Sequence, residues 1–397
     1  MKHLLKQLNE SKKGVDISLI ISFIILGVIG VIMVYSASMV PAAKGALTGG
    51  QAIPSDYFMK KQFTFLVLGI LIIVVSLFIN INILKHTKVQ MLIVFGTLVL
   101  LCLTVLIGKE VNGSKNWINL GFFSVQSSEF LKLTSIFYLS YIINQRLTSR
   151  QHHKLSYLFA PLFLLGIGLV LVLLQGDLGG TVLTVGIIAC ILIYSGITNK
   201  VKLQVMGFTL IPMVFYLIYT LMIDSENTYR LKRINVMINP FKYESDDGYQ
   251  LTSALMSIGN GGFSGNGLGN GVAKLGYLPE PHTDFIFTVI AEELGLIGVL
   301  FILIIYGFIL FKGLIYANKT RNHFYKLICV GIVSYLFIQV FVNLAGISGL
   351  IPLTGVTLPL LSYGGSSMLS VSIAFGTLLA VTKKINEENK MNSDKGY

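Results

Sequence analysis

Apolar residues in this chain gather in long runs separated by short polar segments. About 20 apolar residues, each rising 1.5 Å, cross roughly 30 Å of hydrocarbon, so each run predicts a membrane-spanning helix. The runs lie near 16–38, 61–80, 88–107, 129–145, 156–175, 179–197, 201–222, 285–311, 326–346 and 366–382. Together they predict an all-α polytopic membrane protein with about ten transmembrane helices. The longest polar connection, 223–284, falls between the seventh and eighth runs and predicts a large outer loop.

Orientation follows from the basic residues, which collect on the cytoplasmic side of membrane proteins. With the N-terminus inside, inner segments carry roughly twice the Lys and Arg of outer ones. Both ends, 1–15 and 383–397, then read as cytoplasmic tails of a single membrane domain spanning 1–397. Composition agrees: of 397 residues, 54% are hydrophobic and 12% charged. A soluble globular chain is excluded. The net charge of +12 is accounted for by inner loops facing anionic membrane lipid, so nucleic acid is set aside as a partner. Cys102, Cys190 and Cys329 fall within apolar runs without metal-ligand spacing and predict neither a disulfide nor a metal site. The first run follows a basic N-terminal segment, but it exceeds the usual 7–15 apolar residues of a signal peptide and reads as a retained span.

Candidate chemistry sits where charges meet hydrocarbon. Asp284 stands at the junction between a glycine-rich stretch from Gly259 and an apolar run that also holds Glu292 and Glu293. Ionisable residues at such depth are costly and mark function by default. The plainer alternative is that Thr283 or Asp284 caps the following helix. Glu129 and Lys132 are three apart, share a helix face and can pair on entering the membrane, whether for function or for structure alone. Asp177, in QGDLGG, is a further charge at the outer end of a run, and with Asp284 these charges suggest one polar cavity opening outward. In the long outer loop, YRLKRINVMINP predicts a short interfacial helix, whose Arg230, Lys232 and Arg233 could hold phosphate or face lipid headgroups. Trp117, Phe122 and Phe123 suit an aromatic belt at headgroup depth. The glycines after Gly259 have no Lys-Ser/Thr of a phosphate loop behind them; they predict backbone that bends and lets a bulky ligand approach, with a plain flexible loop as the alternative. The stretch 351–367, IPLTGVTLPLLSYGGSS, predicts irregular backbone at membrane depth, which must be buried in protein or line a wet cavity.

Four blocks occur in one order: NGSKNWINLG with QSSEFLKL, then QGDLGG, then YLPEPHTDFIFTVIAEELG, then PLTGVTLPLLSYGGSS. In that order and spacing they resemble the SEDS proteins of bacterial cell-wall synthesis, the family of FtsW, RodA and SpoVE, over nearly the whole chain. The VYSAS of the first run and the TGVTLPLLSYGGSS block are most like the FtsW branch. Two blocks depart from the family pattern: Lys115-Asn116 replaces two basic residues, and Gly176 and Gly180 replace common proline and threonine. The resemblance implies ten transmembrane helices and a peptidoglycan glycosyltransferase that polymerises lipid II at the outer face of the cytoplasmic membrane. By the same resemblance Asp284 is the essential aspartate. Lys115, Glu129, Lys132, Asp177, Arg230, Arg233, Glu280 and Ser366 fall in its substrate-binding blocks or polar cavity. The implied partners are lipid II, a class B penicillin-binding protein and other division or elongation proteins.

The implied chemistry needs one base, because pyrophosphate leaves without a proton. Asp284 would take the proton of the acceptor hydroxyl, and Lys115, Arg230 or Arg233 would stabilise charge on the pyrophosphate. A divalent cation, Mg or Mn, is the one candidate cofactor, and no residues are assigned to it. A lipid II flippase would also need intramembrane charges and broken helices, but the polar blocks lie on the outer side with no inner counterpart. A recruiting scaffold without activity leaves the cost of those charges unexplained.

Overall fold

The computed structural model describes residues 14–47, 50–111, 114–119, 121, 124–148, 156–207, 229–246 and 248–394. The predicted apolar runs become helices. In chain order these are α1 (Ile17–Ala43), α2 (Tyr57–Phe78), α3 (Thr87–Ile107), α4 (Ser127–Thr148), α5 (Ser156–Leu174) and α6 (Leu178–Tyr194). A helical piece over 199–207 opens the predicted seventh run, whose remainder, 208–222, lies outside the described residues. The long connection contains α7 (Tyr229–Ile238) and α8 (Tyr249–Gly261), so the predicted short helix at YRLKRINVMI is present. The chain then forms α9 (Ile286–Lys319), α10 (His323–Ile347) and α11 (Gly365–Asp394).

Six of these helices, α1, α2, α3, α9, α10 and α11, are long and apolar enough to cross a membrane, by length and composition. Two shorter apolar helices, α5 and α6, accompany them. Most of α10 and α11 is buried inside the protein, whereas α2, α3 and α9 turn most of their apolar surface outward. That arrangement suits a bundle in lipid, where outer helices need not hide hydrocarbon. Between lipid-exposed helices the gain comes from close packing, and α2 meets α11 through small residues. A Cβ added at Gly69 would lie 2.4 Å from Ser372 Oγ, and one at Gly376 would lie 2.6 Å from Ser76 Oγ.

At one end of the bundle, Asp16 caps α1 by accepting from the Ser18 amide at 3.1 Å, and it also accepts from Lys312 Nζ at 2.8 Å and Tyr316 OH at 2.9 Å on α9. Burial works to raise its pKa, but the bonds from Lys312, Ser18 and Tyr316 outweigh it and hold the carboxyl at about 2. Asn386 on α11 donates to Gly14 O at 2.7 Å. The helix therefore continues past residue 382, into the segment expected to be a tail, because its polar end has partners there.

One element departs from the helical expectation. β1 (Lys109–Val111), β2 (Ser114–Asn119) and β3 (Ser124–Gln126) form an antiparallel three-stranded sheet in that order. Trp117 pairs with Lys109 on one side and Gln126 on the other, so its backbone belongs to a sheet. Phe122 and Phe123 lie outside the described residues. The sheet is moored to the α5–α6 turn, since the Lys115 amide donates to Gln175 O at 2.9 Å and Ser114 Oγ to Gly176 O at 3.1 Å.

Candidate functional site

Asp284 lies just before α9, whose N-cap position is Phe285, and no side chain caps the helix. The capping alternative for Thr283 and Asp284 therefore fails: Thr283 Oγ1 instead donates to Glu280 O at 3.0 Å and to Asp284 Oδ1 at 2.9 Å. The Asp284 carboxyl is left beside a narrow cleft, lined also by Phe285, Asn343, Ile347 and the irregular segment Leu353–Val356. Burial pushes its pKa up; the bond from Thr283 and the nearby Arg233 guanidinium offset only part of that. Arg233 on α7 is half-buried and donates through Nη1 to Leu353 O, so it braces the wall opposite the aspartate.

The segment before Asp284 is held by aromatic packing. His282 is buried with its ring 4.4 Å from that of Phe58 and 5.5 Å from that of Tyr363, while its carbonyl accepts from the Tyr363 amide at 2.9 Å. Burial pushes its pKa down to about 4, so the ring is neutral near pH 7. Glu280 is exposed, and its pKa is raised by partial burial and by the charge on Asp284.

Asp177 caps α6 and has little acceptor capacity to spare. It accepts from Gly180 N at 2.7 Å, Ser128 Oγ at 2.7 Å, Gln126 Nε2 at 3.1 Å and Asn116 Nδ2 at 3.3 Å. It thus ties the sheet, α4 and α6 together. The next turn reaches the cleft wall: a Cβ added at Gly179 would meet Thr354 O and Val356 Cγ2, both at 3.1 Å. Ser366 does a similar job at the start of α11, accepting from Gln126 N at 2.9 Å and donating to Ser124 O at 2.7 Å.

Glu129 and Lys132 do pair on α4, at 2.7 Å, and both are buried. Their remaining bonds go to other helices. Glu129 Oε2 accepts from Tyr335 OH at 2.9 Å and from Ser370 Oγ at 2.7 Å, and Lys132 Nζ donates to Gln339 Oε1 at 3.1 Å. These added bonds offset the cost of two buried charges and lock α4 to α10 and α11. Gln339 passes the connection on, donating to Thr357 O at 3.0 Å in the segment that continues the cleft wall.

Part of the glycine-rich stretch packs on the chain's own broken helix, at Gly261, Gly265 and Gly271, whereas Gly259, Gly262, Gly269 and Gly276 face open space. Gly295 interrupts α9 at φ 64°, ψ −167°, and a Cβ there would lie 2.3 Å from Gly265 N. Around that break the Asn266 amide donates to Glu292 O, and Gly267 to Glu293 O, each at 3.0 Å. The Glu292 carboxylate accepts from the amides of Val272 at 3.0 Å and Ala273 at 3.1 Å. Glu293 binds Lys274 Nζ at 2.6 Å, and Ser36 Oγ on α1 donates to its carboxylate at 2.8 Å. The two glutamates of α9 therefore anchor the connection between α8 and α9.

The structure brings Asp284 and Arg233 to one cleft, with Asp177 behind its wall and Glu129–Lys132 connected to that wall through Gln339. Lys115 is exposed on β2, and the side chain of Arg230 lies outside the described residues. The sequence alone did not single out Asn343, whose Nδ2 donates to Asp284 O at 2.8 Å and Val356 O at 2.7 Å, or the buried Lys274. The available signal for the first was Gln339 and Asn343 standing four apart, on one face, inside an apolar run. Among the described residues no group of three or more His, Cys, Asp and Glu could hold a metal ion.

These features define a polytopic helical membrane protein with an acid-bearing cleft at an end of its bundle. Comparison with known proteins supplies its family. The model for "Cell cycle protein", the FtsW/RodA/SpoVE family, matches residues 16–387, and the chain belongs to that family. A Bacillus subtilis relative named "Probable peptidoglycan glycosyltransferase FtsW" is 36% identical over 392 residues, covering 98% of this chain and 95% of its own. A Coxiella burnetii protein of the same name is 35% identical over 369 residues, covering 92% and 95%. Among solved structures, a chain in "Structural coordination of polymerization and crosslinking by a peptidoglycan synthase complex" superposes with TM-score 0.71 at 25% identity, covering 94% of this chain and 98% of that one. Thermus thermophilus RodA superposes with TM-score 0.65 at 25% identity, covering 93% and 97%.

Proposed function

We propose that this protein is a peptidoglycan glycosyltransferase that polymerises lipid II into β-1,4 glycan strands at the outer face of the cytoplasmic membrane during cell division. The observation that carries this reading is Asp284: in a chain of this family, its carboxyl borders a cleft and is not consumed in capping α9. Relatives named as probable peptidoglycan glycosyltransferases support it. The reading takes ten transmembrane helices, the 223–284 segment outside and both termini in the cytoplasm. It also takes a class B penicillin-binding protein as partner, by analogy with the synthase complex.

The Asp284 carboxylate removes the proton from the acceptor sugar's 4-hydroxyl as that oxygen attacks the anomeric carbon of the donor. The carbon–oxygen bond to pyrophosphate breaks, the lipid pyrophosphate leaves with the electron pair, and the α linkage becomes β. A base raised by burial is well matched to this task, since a stronger base takes the proton more readily. Arg233, and Lys115 on the exposed sheet, supply positive charge for the departing pyrophosphate.

The test is polymerisation of lipid II by the purified protein with its cognate penicillin-binding protein, wild type against Asp284→Asn. Strands from wild type and none from a folded variant are expected. Failure of both to make strands, with lipid II moved across a bilayer by both, would replace this reading with a flippase.

A further inference from the structure

The geometry points to Asn343 as the residue that positions Asp284 for proton abstraction, an inference that rests on the glycosyltransferase reading of the cleft. Asn343 is buried on α10 and bonds both walls of the cleft through one nitrogen. Its Nδ2 donates to the backbone carbonyl of Asp284 at 2.8 Å and to that of Val356 at 2.7 Å. Both partners are acceptors, so only the nitrogen can face them and the orientation of the amide is chemically fixed. The consequence is that Asn343 Oδ1 is buried with no donor among the described residues. An unpaired buried acceptor is unfavourable, and a side chain that served packing alone would have no reason to bear it.

The amide does not act in isolation. One turn earlier on the same helix, Gln339 Nε2 donates to Thr357 O at 3.0 Å, and Gln339 Oε1 accepts from Lys132 Nζ at 3.1 Å. Two amides four residues apart thus grip consecutive carbonyls, Val356 and Thr357, of a segment that has no regular hydrogen bonding of its own. The buried Glu129–Lys132 pair fixes the first amide, and the second fixes the aspartate. Such a chain places the carboxyl against the opposite wall, where misplacement by about 1 Å costs on the order of 100-fold in rate.

If Asn343 positions Asp284, Asn343→Leu releases the Asp284 backbone from the Leu353–Val356 wall and lets the carboxyl turn to water. In the complex with the penicillin-binding protein, glycan synthesis should then lose about 10- to 100-fold in kcat. KM for lipid II should change by less than about threefold, because ground-state binding is not what Asn343 supplies. The acid limb of the pH–rate profile should move down toward the ordinary carboxylate range as burial is relieved. Asn343→Ser keeps one hydroxyl donor in a smaller side chain, and its rate should fall between wild type and the leucine variant.

A merely structural role would scale kcat with the folded fraction and leave the acid limb in place. That outcome, or wild-type kcat in Asn343→Leu, would overturn the inference. Absence of strands from wild type would refute the reading of the cleft, and the inference is then decided by a 13C titration of the aspartate carboxyls. The Asp284 resonance, assigned by its loss in Asp284→Asn, should titrate lower in Asn343→Leu, and an unchanged midpoint would overturn the positioning role.

Discussion

Replacing Lys274 with Met should cost about 3–5 kcal/mol of unfolding free energy, because it strands a buried carboxylate. The lysine sits in the connection between α8 and α9, yet its side chain is 1% exposed and that of its partner Glu293 is 0% exposed. At their separation of 2.6 Å and an effective dielectric near 20, the bare attraction is roughly 6 kcal/mol. Desolvating both ions offsets most of it, so the intact pair contributes little net stability. Removing one ion leaves the penalty of the other unopposed. Ser36 Oγ at 2.8 Å and the Gly269 amide at 3.0 Å still bind Glu293, which places the expected loss toward the lower end of that range. The assay is equilibrium unfolding in one detergent for four proteins: wild type, Lys274→Met, Glu293→Gln and the double variant. Neutralising the glutamate as well should recover all but about 1–2 kcal/mol, leaving the double variant more stable than either single. A loss below about 1 kcal/mol in Lys274→Met, or a double variant as unstable as the two singles added, would refute the reasoning.

His282 sets a pH dependence whose sign is fixed by its burial. Its folded pKa of about 4 lies below the ordinary 6.5, so between those values the unfolded chain binds a proton that the folded one does not. Stability should therefore be full above pH 6.5 and fall toward pH 4, by about 3 kcal/mol at most, and unfolding measured across that window should show a flattened slope in His282→Phe. Gly295→Ala should lose more than about 2 kcal/mol, since the new Cβ meets Gly265 N at 2.3 Å on a residue with φ 64°. Gly307→Ala, with open space around it on the same helix, should be neutral or stabilising by up to about 1 kcal/mol in the same unfolding assay. Asp284→Asn should be inactive yet at least as stable as wild type at pH 7, because burial disfavours the carboxylate in the folded state. For wild type, activity should rise with pH through a limb above the ordinary carboxylate range.

Much of the site's address was legible along the chain. Asp284 at a loop–helix junction, Asp177 in QGDLGG and the Glu129–Lys132 spacing all pointed to charges that needed partners. Their partners were not legible, because nothing local relates Glu293 to Ser36, 257 positions away, or Lys132 to Gln339, 207 positions away. The glycines illustrate the same limit. A positive φ or a close approach asks for glycine whether the neighbour is a ligand or the chain's own backbone, and only the fold shows that at Gly265 it is the broken α9.

By itself the sequence determined the apolar helices and their order, since hydrocarbon must be crossed by backbone that satisfies its own hydrogen bonds and about 20 apolar residues suffice to do so. It also determined the ordered polar blocks that mark the family. Tertiary structure decided which carboxylates are spent on holding the protein together and which one borders the cleft. Glu129, Asp177, Glu292 and Glu293 each meet hydrogen-bond donors from distant segments, whereas Asp284 is held mainly through its backbone by Asn343. That difference is set by long-range donor geometry in a medium where unpaired charge is expensive, and no local pattern of residues encodes it.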